Sequence, residues 1–401
     1  MSPAATGDAA ASGAGLGAAG HGPLHGYRVL DLSSVVLGPM TGQYLGDMGA
    51  DVIKIESPDG DITRSIGARR HEGMGALFLA NNRNKRGIVL DLKAERGRRI
   101  LREMVAVSDV IVHSIRTQAA ARIGLDYEAL AALNPRLIYC HLTGFSDSGP
   151  YAGRAAYDDI VQALSGLAML QRIAAGSPRY IPSIIADKIS AVHAAWAITL
   201  ALLHRERAGH GQKVAVPMLE TLVAFNMAEH LGGHVFEPPV AAMGYEPIRE
   251  GMRKPFPTAD GFLCFLPYSD ANWRVFLDRI ERDDLKADPR FATQKGRQAN
   301  LGLVWGEVAR ILATRTTAQW LALLDGSDIA HATVNSLEDL LDDPQLLATG
   351  FWEMREHPSE GLMRLARPPL EFSRSAPSIR RLPPRLGEHT QEVLAELGLA
   401  A

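Results

Sequence analysis

Cysteine is nearly missing from this chain of 401 residues. Cys140 and Cys264 lie far apart and outside any CxxC pair, which argues against a disulfide framework or a zinc site and predicts a reducing cytoplasm. An excess of charge of one sign is lacking too. With 42 basic and 45 acidic residues the formal net charge is -3, which leaves no electrostatic footprint for nucleic acid or an anionic membrane. The one long apolar run, Ile189 to Leu203, is broken by His193 and is shorter than the ~20 residues of a membrane span. What remains is the composition of an ordinary soluble globular protein, 46% hydrophobic and 22% charged, with length for two or three domains.

Residues 1–22 are dominated by Ala, Gly and Ser and are predicted to form a disordered tail. Gly15, Gly17 and Gly20 spell GxGxxG, but no strand pattern precedes them and no helix pattern follows, so a dinucleotide fingerprint is rejected. The tail also lacks the basic start and apolar core of a signal peptide.

Order is expected from Gly26. Apolar strand patterns at Tyr27–Leu32, Asp51–Ile55, Gly87–Leu92, Asp109–Val112 and Leu137–Leu142 alternate with helical patterns, the first opened by Gly38-Pro39 and another at Ala94–Val107. This alternation predicts an α/β fold, a parallel sheet wrapped by helices, with ligands beyond the carboxyl ends of the strands. Ser33-Ser34, Ser57, His113-Ser114 and Gly144-Phe145 fall at such ends. The basic loop Asn82–Arg86 reads as a solvated charge cluster. Asp158 and Asp159 open a helix, where carboxylates are favoured.

The stretch Pro178–Val214 organises the chain. Asp187 sits where Ile184-Ile185-Ala186 gives way to an Ala-rich helical pattern that is apolar on nearly every side and is therefore expected to be buried. A carboxylate there is close to apolar ground, relieved in part by the helix N-terminus. From local sequence it is either an N-cap or a reactive group. His230 and His234 stand four apart, but Gly232-Gly233 interrupts the helix and Leu231 replaces the Glu of a zinc-protease helix, so no metal site is assigned.

Several runs in order carry a resemblance: GYRVLDLSSVVLGPMTGQYLGDMGADVIKIESPDGD, NNRNKRGIVLDLK, NPRLIYCHLTGFSDSGPY, YDDIVQALSG, ADKISAVHAAWAITLALLHRERAGHGQKV and RLGEHTQEVLAELG. Together they resemble the class III CoA-transferases, the CaiB/BaiF type that includes formyl-CoA:oxalate and carnitine CoA-transferases. The resemblance implies a Rossmann-like parallel-sheet large domain plus a smaller α+β domain, in an interlocked homodimer. The corresponding spans are 23–225 for the first part of the large domain, 226–330 for the small domain with linkers, and 331–401 for the return to the large domain.

The resemblance further implies that Asp187 is the catalytic nucleophile, passing through an aspartyl mixed anhydride and an aspartyl-CoA thioester. An acyl-CoA and a carboxylic acid are then the substrates, with no permanently bound cofactor. Tyr157, Asp158, Ser34 and Val36 are expected to shape the pocket, and Leu37, Leu90, Lys93, Ala119, Arg122, Ile123 and Arg154 to contact CoA. Departures from formyl-CoA transferase at Val36, Ser57 and Ser114-Ile115, and the missing glycine run, point away from oxalate as acceptor. Succinyl-CoA is a candidate donor by family analogy. Related α-methylacyl-CoA racemases use a His where this chain has Tyr157, and a phenol is a poor general base at neutral pH. A racemase and an inactive CoA-binding paralogue are therefore the alternatives.

Overall fold

The computed structural model describes residues 22–249 and 253–399. The GxGxxG run and nearly all of the expected tail lie outside them. Gly22 does not belong to a loose tail. It is buried, and a Cβ on it would meet the Met48 carbonyl oxygen at 2.3 Å.

Six strands form the central sheet: β1 (Arg28–Leu32), β2 (Asp51–Glu56), β3 (Lys85–Val89), β4 (Val110–His113), β5 (Ile138–Thr143) and β6 (Gln212–Pro217). Their order is β3-β2-β1-β4-β5-β6 and every neighbouring pair is parallel. Runs such as Val110–Val112, buried on both faces, suit a sheet covered by helices on both sides. The chain winds outward in opposite directions from β1 and β4, so a crevice opens beyond their carboxyl ends, at Ser33-Ser34 and Ser114. β3 starts two residues earlier than its apolar pattern because Lys85 and Arg86 already pair with Val52 and Ile53 of β2.

The chain divides into two compact units. The larger comprises the residues up to 165, with 182–223 and the segment from 350; the smaller comprises 166–181 and 224–349. The return to the large unit therefore falls at 350 and not at 331. The physical reason is Ala330–Thr333, which pairs antiparallel with Phe262–Leu266 in the small unit's sheet. That unit's core holds Trp273, Phe276, Phe291 and Trp320. In the large unit the closing helix Thr390–Glu396 lies along β3, where Thr390 Oγ1 accepts the Val89 N–H at 3.1 Å.

Two expectations fail in instructive ways. Asn82–Arg86 is no solvated cluster, because all five residues are buried. Arg83 pairs with Asp47 at 2.7 Å, Arg86 with Asp51 at 2.7 Å, and Lys85 Nζ donates to Asp31, the Pro39 carbonyl and Asn82 at 2.7–2.8 Å. The long helix Ile185–Ala208 is not buried all round either. Ala186, Ala191, Ala194, Ile198 and Leu202 face inward, while Val192, Trp196, Leu200 and Leu203 form an exposed stripe, Trp196 being 61% exposed. At 24 residues this helix is long enough to cross a bilayer, yet it packs on the helix Leu37–Asp47 and on β5 and β6, with Arg205 buried among them.

Lys85→Met leaves the Asp31 carboxylate buried without its nearest counter-charge and is expected to cost about 3–5 kcal/mol. Urea unfolding reads this loss, and adding Asp31→Asn restores most of it. An unchanged midpoint in the single variant contradicts the pairing.

Candidate active site

Asp187 lies in the first turn of Ile185–Ala208 and is 8% exposed. The helix N-terminus does not serve it in the expected way. Asp158, from the helix Asp158–Leu164, reaches across, and its Oδ1 accepts the Ala186 N–H at 2.7 Å and the Asp187 N–H at 3.1 Å. Its Oδ2 accepts from Gln162 Nε2 at 2.7 Å. Asp158 thus caps a helix other than its own, and two carboxylates face one another at one helix start. Burial and the neighbouring Asp158 push the Asp187 carboxyl up to about 7.

The turn that leaves β1 runs from Ser33 to Val36 and enters the helix Leu37–Asp47. Val35 in it has φ +72°, a left-handed conformation rare for a β-branched residue. Gly38 is required just beyond, because a Cβ there would lie 2.0 Å from the Ser33 Cβ. Ser33 is anchored by its N–H to Asp31 at 3.0 Å, and its carbonyl accepts from Lys54 Nζ at 3.1 Å.

Asp187 opens onto a cavity of about 230 Å³ in the large unit, shared with Ser34, Leu37, Arg154 and Tyr157. A second cavity of about 510 Å³ gathers Leu90, Lys93, Ala119 and Ile123 with Ser57, and Ser34 borders both. The structure therefore brings nine of the expected site residues to two adjoining cavities at the sheet's switch point. Three stand apart from them. Val36 is 2% exposed and packs at the helix start; its neighbour Val35 lines the first cavity instead. Asp158 sits behind the helix N-terminus, and Arg122, on the outer face of the short helix Thr117–Arg122, lines neither cavity.

Sequence reasoning missed Arg116 and His141, which line the first cavity. The strand-end rule that flagged Ser114 and Gly144 reaches within three residues of both, but it does not say which side chain turns inward. His141 Nε2 donates to the Ile115 carbonyl at 2.9 Å, so Nδ1 carries the lone pair, 3.9 Å from Asp147. Burial pushes the imidazole's pKa down, which keeps it neutral. Its ring stacks on His113 at 4.5 Å. His113 Nε2–H donates to Tyr139, whose hydroxyl donates in turn to the Leu125 carbonyl. His230, to which no metal role is assigned, accepts the Tyr245 N–H on Nδ1.

Residues 24–390 match the model of CoA-transferase family III. The chain belongs to that family. It is 36% identical to the succinate–glutarate CoA-transferase of Agrobacterium fabrum, over 94% of this chain and 96% of that one. It is 32% identical to the formyl-CoA:oxalate CoA-transferase of Streptomyces avermitilis, over 94% and 96% of the two chains. Among solved structures, a CAIB/BAIF family protein from Brucella suis superposes with a TM-score of 0.82 at 31% identity, covering 94% of this chain and all of that one. A class III CoA-transferase is an enzyme acting on CoA thioesters, and the six-stranded parallel sheet is the scaffold on which this member presents Asp187.

For this family member the cost of ionising Asp187 is measurable. Its folded pKa of about 7 exceeds the ordinary 3.8, so the native state is penalised above pH 7 and unpenalised below pH 3.8. Asp187→Asn is therefore expected to unfold at higher temperature than wild type at pH 8, by up to about 4 kcal/mol of added stability, and the gain should shrink as pH falls to 5. A stability difference independent of pH contradicts the raised pKa.

Proposed function

We propose that this enzyme moves CoA between an acyl-CoA and a free carboxylic acid with Asp187 as the nucleophile. The observation that carries the reading is a nearly dry carboxyl, raised to about 7, at the wall of a cavity that substrate can enter. A carboxylate of that basicity is half ionised at neutral pH and a stronger nucleophile than an ordinary one.

An Asp187 oxygen attacks the thioester carbon, the C–S bond breaks, and CoA leaves as thiolate, giving a mixed anhydride. The thiolate attacks Asp187 Cγ and expels the donor as its carboxylate, giving the aspartyl-CoA thioester. The acceptor carboxylate then attacks Cγ and releases thiolate. Thiolate attack on the acceptor's acyl carbon finally frees Asp187 and the new acyl-CoA. No proton is gained or lost over the cycle, so the site needs no dedicated acid.

Leu90, Lys93, Ala119 and Ile123 are assigned to CoA along the second cavity, with Leu37 and Arg154 nearer the thioester. Arg122 is the weakest of these assignments, because its position on the outer face suits only the far end of CoA. Tyr157 and Ser34 flank Asp187, and Asp158 tunes it from behind. Arg116 and Arg154 put two cations at the first cavity beside Asp147 and Asp187, and each offers a partner to an anionic acid. Succinyl-CoA as donor and a dicarboxylic acid such as glutarate as acceptor fit that charge, in line with the names of the relatives. The stripe Val192, Trp196, Leu200 and Leu203 supports a homodimer, interlocked as in the family. Two free cysteines, Cys140 and Cys264, fit a cytoplasmic setting.

Incubation with succinyl-CoA and other acyl-CoAs in the presence of hydroxylamine should leave a hydroxamate on Asp187, found by peptide mass spectrometry. Asp187→Asn should lower transfer by a factor on the order of 10³ or more with the fold intact. Full turnover in that variant sinks the mechanism. A second reading has one observation in its favour, the neutral His141 imidazole in the same cavity as Asp187. If deuterium from the solvent enters the acyl α-position and no hydroxamate forms, the enzyme is a racemase of the α-methylacyl-CoA type. Sedimentation velocity of the wild-type enzyme is expected to give a dimer that persists on dilution; a monomer contradicts the assembly.

A further inference from the structure

His113 and His141 stand side by side in the parallel register of β4 and β5, and their rings stack at 4.5 Å. Between them they hold the Ile115 peptide. His141 Nε2–H donates to its carbonyl at 2.9 Å, and His113 Nδ1 accepts its N–H at 3.3 Å. His113 Nε2–H is used up as well, on the Tyr139 hydroxyl at 2.7 Å. One polar ring atom is left over, His141 Nδ1. The side chain is 2% exposed, yet no donor among the described residues is bonded to this atom. The Asp147 carboxylate stands 3.9 Å away, too far for a hydrogen bond, and it is an acceptor too. Asp147 takes the Thr117 hydroxyl at 3.3 and 3.4 Å, and burial keeps the imidazole neutral, so no proton lies between the two. Two acceptors facing one gap call for a donor from outside the chain.

The place of this gap narrows the choice of donor. His141 and Asp147 line the first cavity with Asp187. In the segment next to them Ser114 and Arg116 also line the first cavity, while Ile115 lines the second, and Ser34 borders both. A CoA thioester that lies along the second cavity and reaches Asp187 in the first has to thread its cysteamine arm past this segment. The chemistry of the substrates narrows the choice further. An ionised dicarboxylic acid offers acceptors alone, and Arg116 and Arg154 are the partners that suit it. Its acyl-CoA adds no donor within the acyl group. The N–H nearest the sulfur belongs to the amide of the cysteamine arm.

We propose that His141 Nδ1, with Asp147 beside it, accepts the cysteamine amide N–H of the bound CoA thioester and so sets the sulfur against Asp187. The proposal rests on the reading of the two cavities as one CoA path ending at Asp187, and it names the anchor of the arm at that end. Such an anchor holds the thioester carbon in reach of the carboxylate whatever the acyl group. An Nδ1 engaged in this way is not free to take an α-proton, so the contact also separates the transferase from the racemase.

The probe is S-ethyl-CoA, a thioether that cannot transfer, titrated by calorimetry beside an analogue in which the cysteamine amide N–H is replaced by an ester oxygen. Wild type is expected to bind the amide about three- to tenfold tighter than the ester. His141→Gln, whose Nε2 can still donate to the Ile115 carbonyl, should bind the two within about twofold of one another. Asp147→Asn tests the same gap from the exposed side, where the fold is not at stake. Its amide N–H reaches toward Nδ1 and occupies it, so the preference should vanish there too. The same ester replacement at the next amide along the arm should cost wild type and both variants equally.

Equal binding of the two forms by wild type overturns the proposal and leaves the gap to a water. So does a preference that survives in both variants, which puts the donor's partner elsewhere. Failure of S-ethyl-CoA to bind at all overturns the CoA path and the proposal with it. A missing hydroxamate on Asp187 sinks the transferase mechanism alone, because the titration involves no reaction.

Discussion

Two lysines with no access to water, Lys54 and Lys85, lie beneath the turn from β1 into the first helix. The sheet can close over them because Asp31 and Asp61 lie there as well. Burial pushes the Asp31 carboxyl up, but Lys85 and Lys54 outweigh it and hold the group below the ordinary range; the same balance, chiefly against Lys54, governs Asp61. Each charge is costly alone and tolerable in company. The geometry of the turn follows from this arrangement, because its amides and carbonyls complete the coordination of the four side chains. Gly42 belongs to the same constraint, since a Cβ there would press on Asp31 at 2.9 Å and on the Lys85 stem at 3.3 Å.

Asp187 is built on the opposite electrostatic principle. Where the four charges under the turn are matched, the two carboxylates at the long helix start are not. Asp158 takes the helix N–H groups that ordinarily soothe a carboxylate in the first turn, and Asp187 is left with burial and a like charge. The enzyme thereby keeps one group dry and basic at the expense of its own stability, a trade that is common where reactivity is wanted.

Much of this was legible in the sequence, for identifiable reasons. The alternation of apolar strands with helical patterns is a one-dimensional signal, and it foretold the parallel sheet and the strand ends where Ser33, Ser57 and Ser114 sit. Asp187 stood out because a charged residue interrupts a long apolar pattern. What stayed hidden depends on partners far away in the chain. Asn82–Arg86 reads as a surface run until Asp31, Asp47 and Asp51 are brought against it. The capping of one helix by Asp158 joins residues 28 or more positions apart, and no local pattern encodes it. Inward rotation of His141 goes with its bond to the distant Ile115 carbonyl, and the choice of Val35 over Val36 turns on a backbone angle that a valine's identity argues against.

The division of the chain into units has a consequence for how it is made. The large unit begins with β1 but is not complete until the hairpin Trp352–His357 and Gly361–Ala366 and the helix along β3 have been synthesised. Between these two parts the chain lays down most of the small unit, an almost uninterrupted stretch with its own core. Domains tend to fold as they emerge from the ribosome. Here the small unit can settle while β3 is still waiting for its cover, leaving a sheet edge open during translation. The two acids Glu392 and Glu396, which Arg86 awaits at that edge, are added only after the small unit.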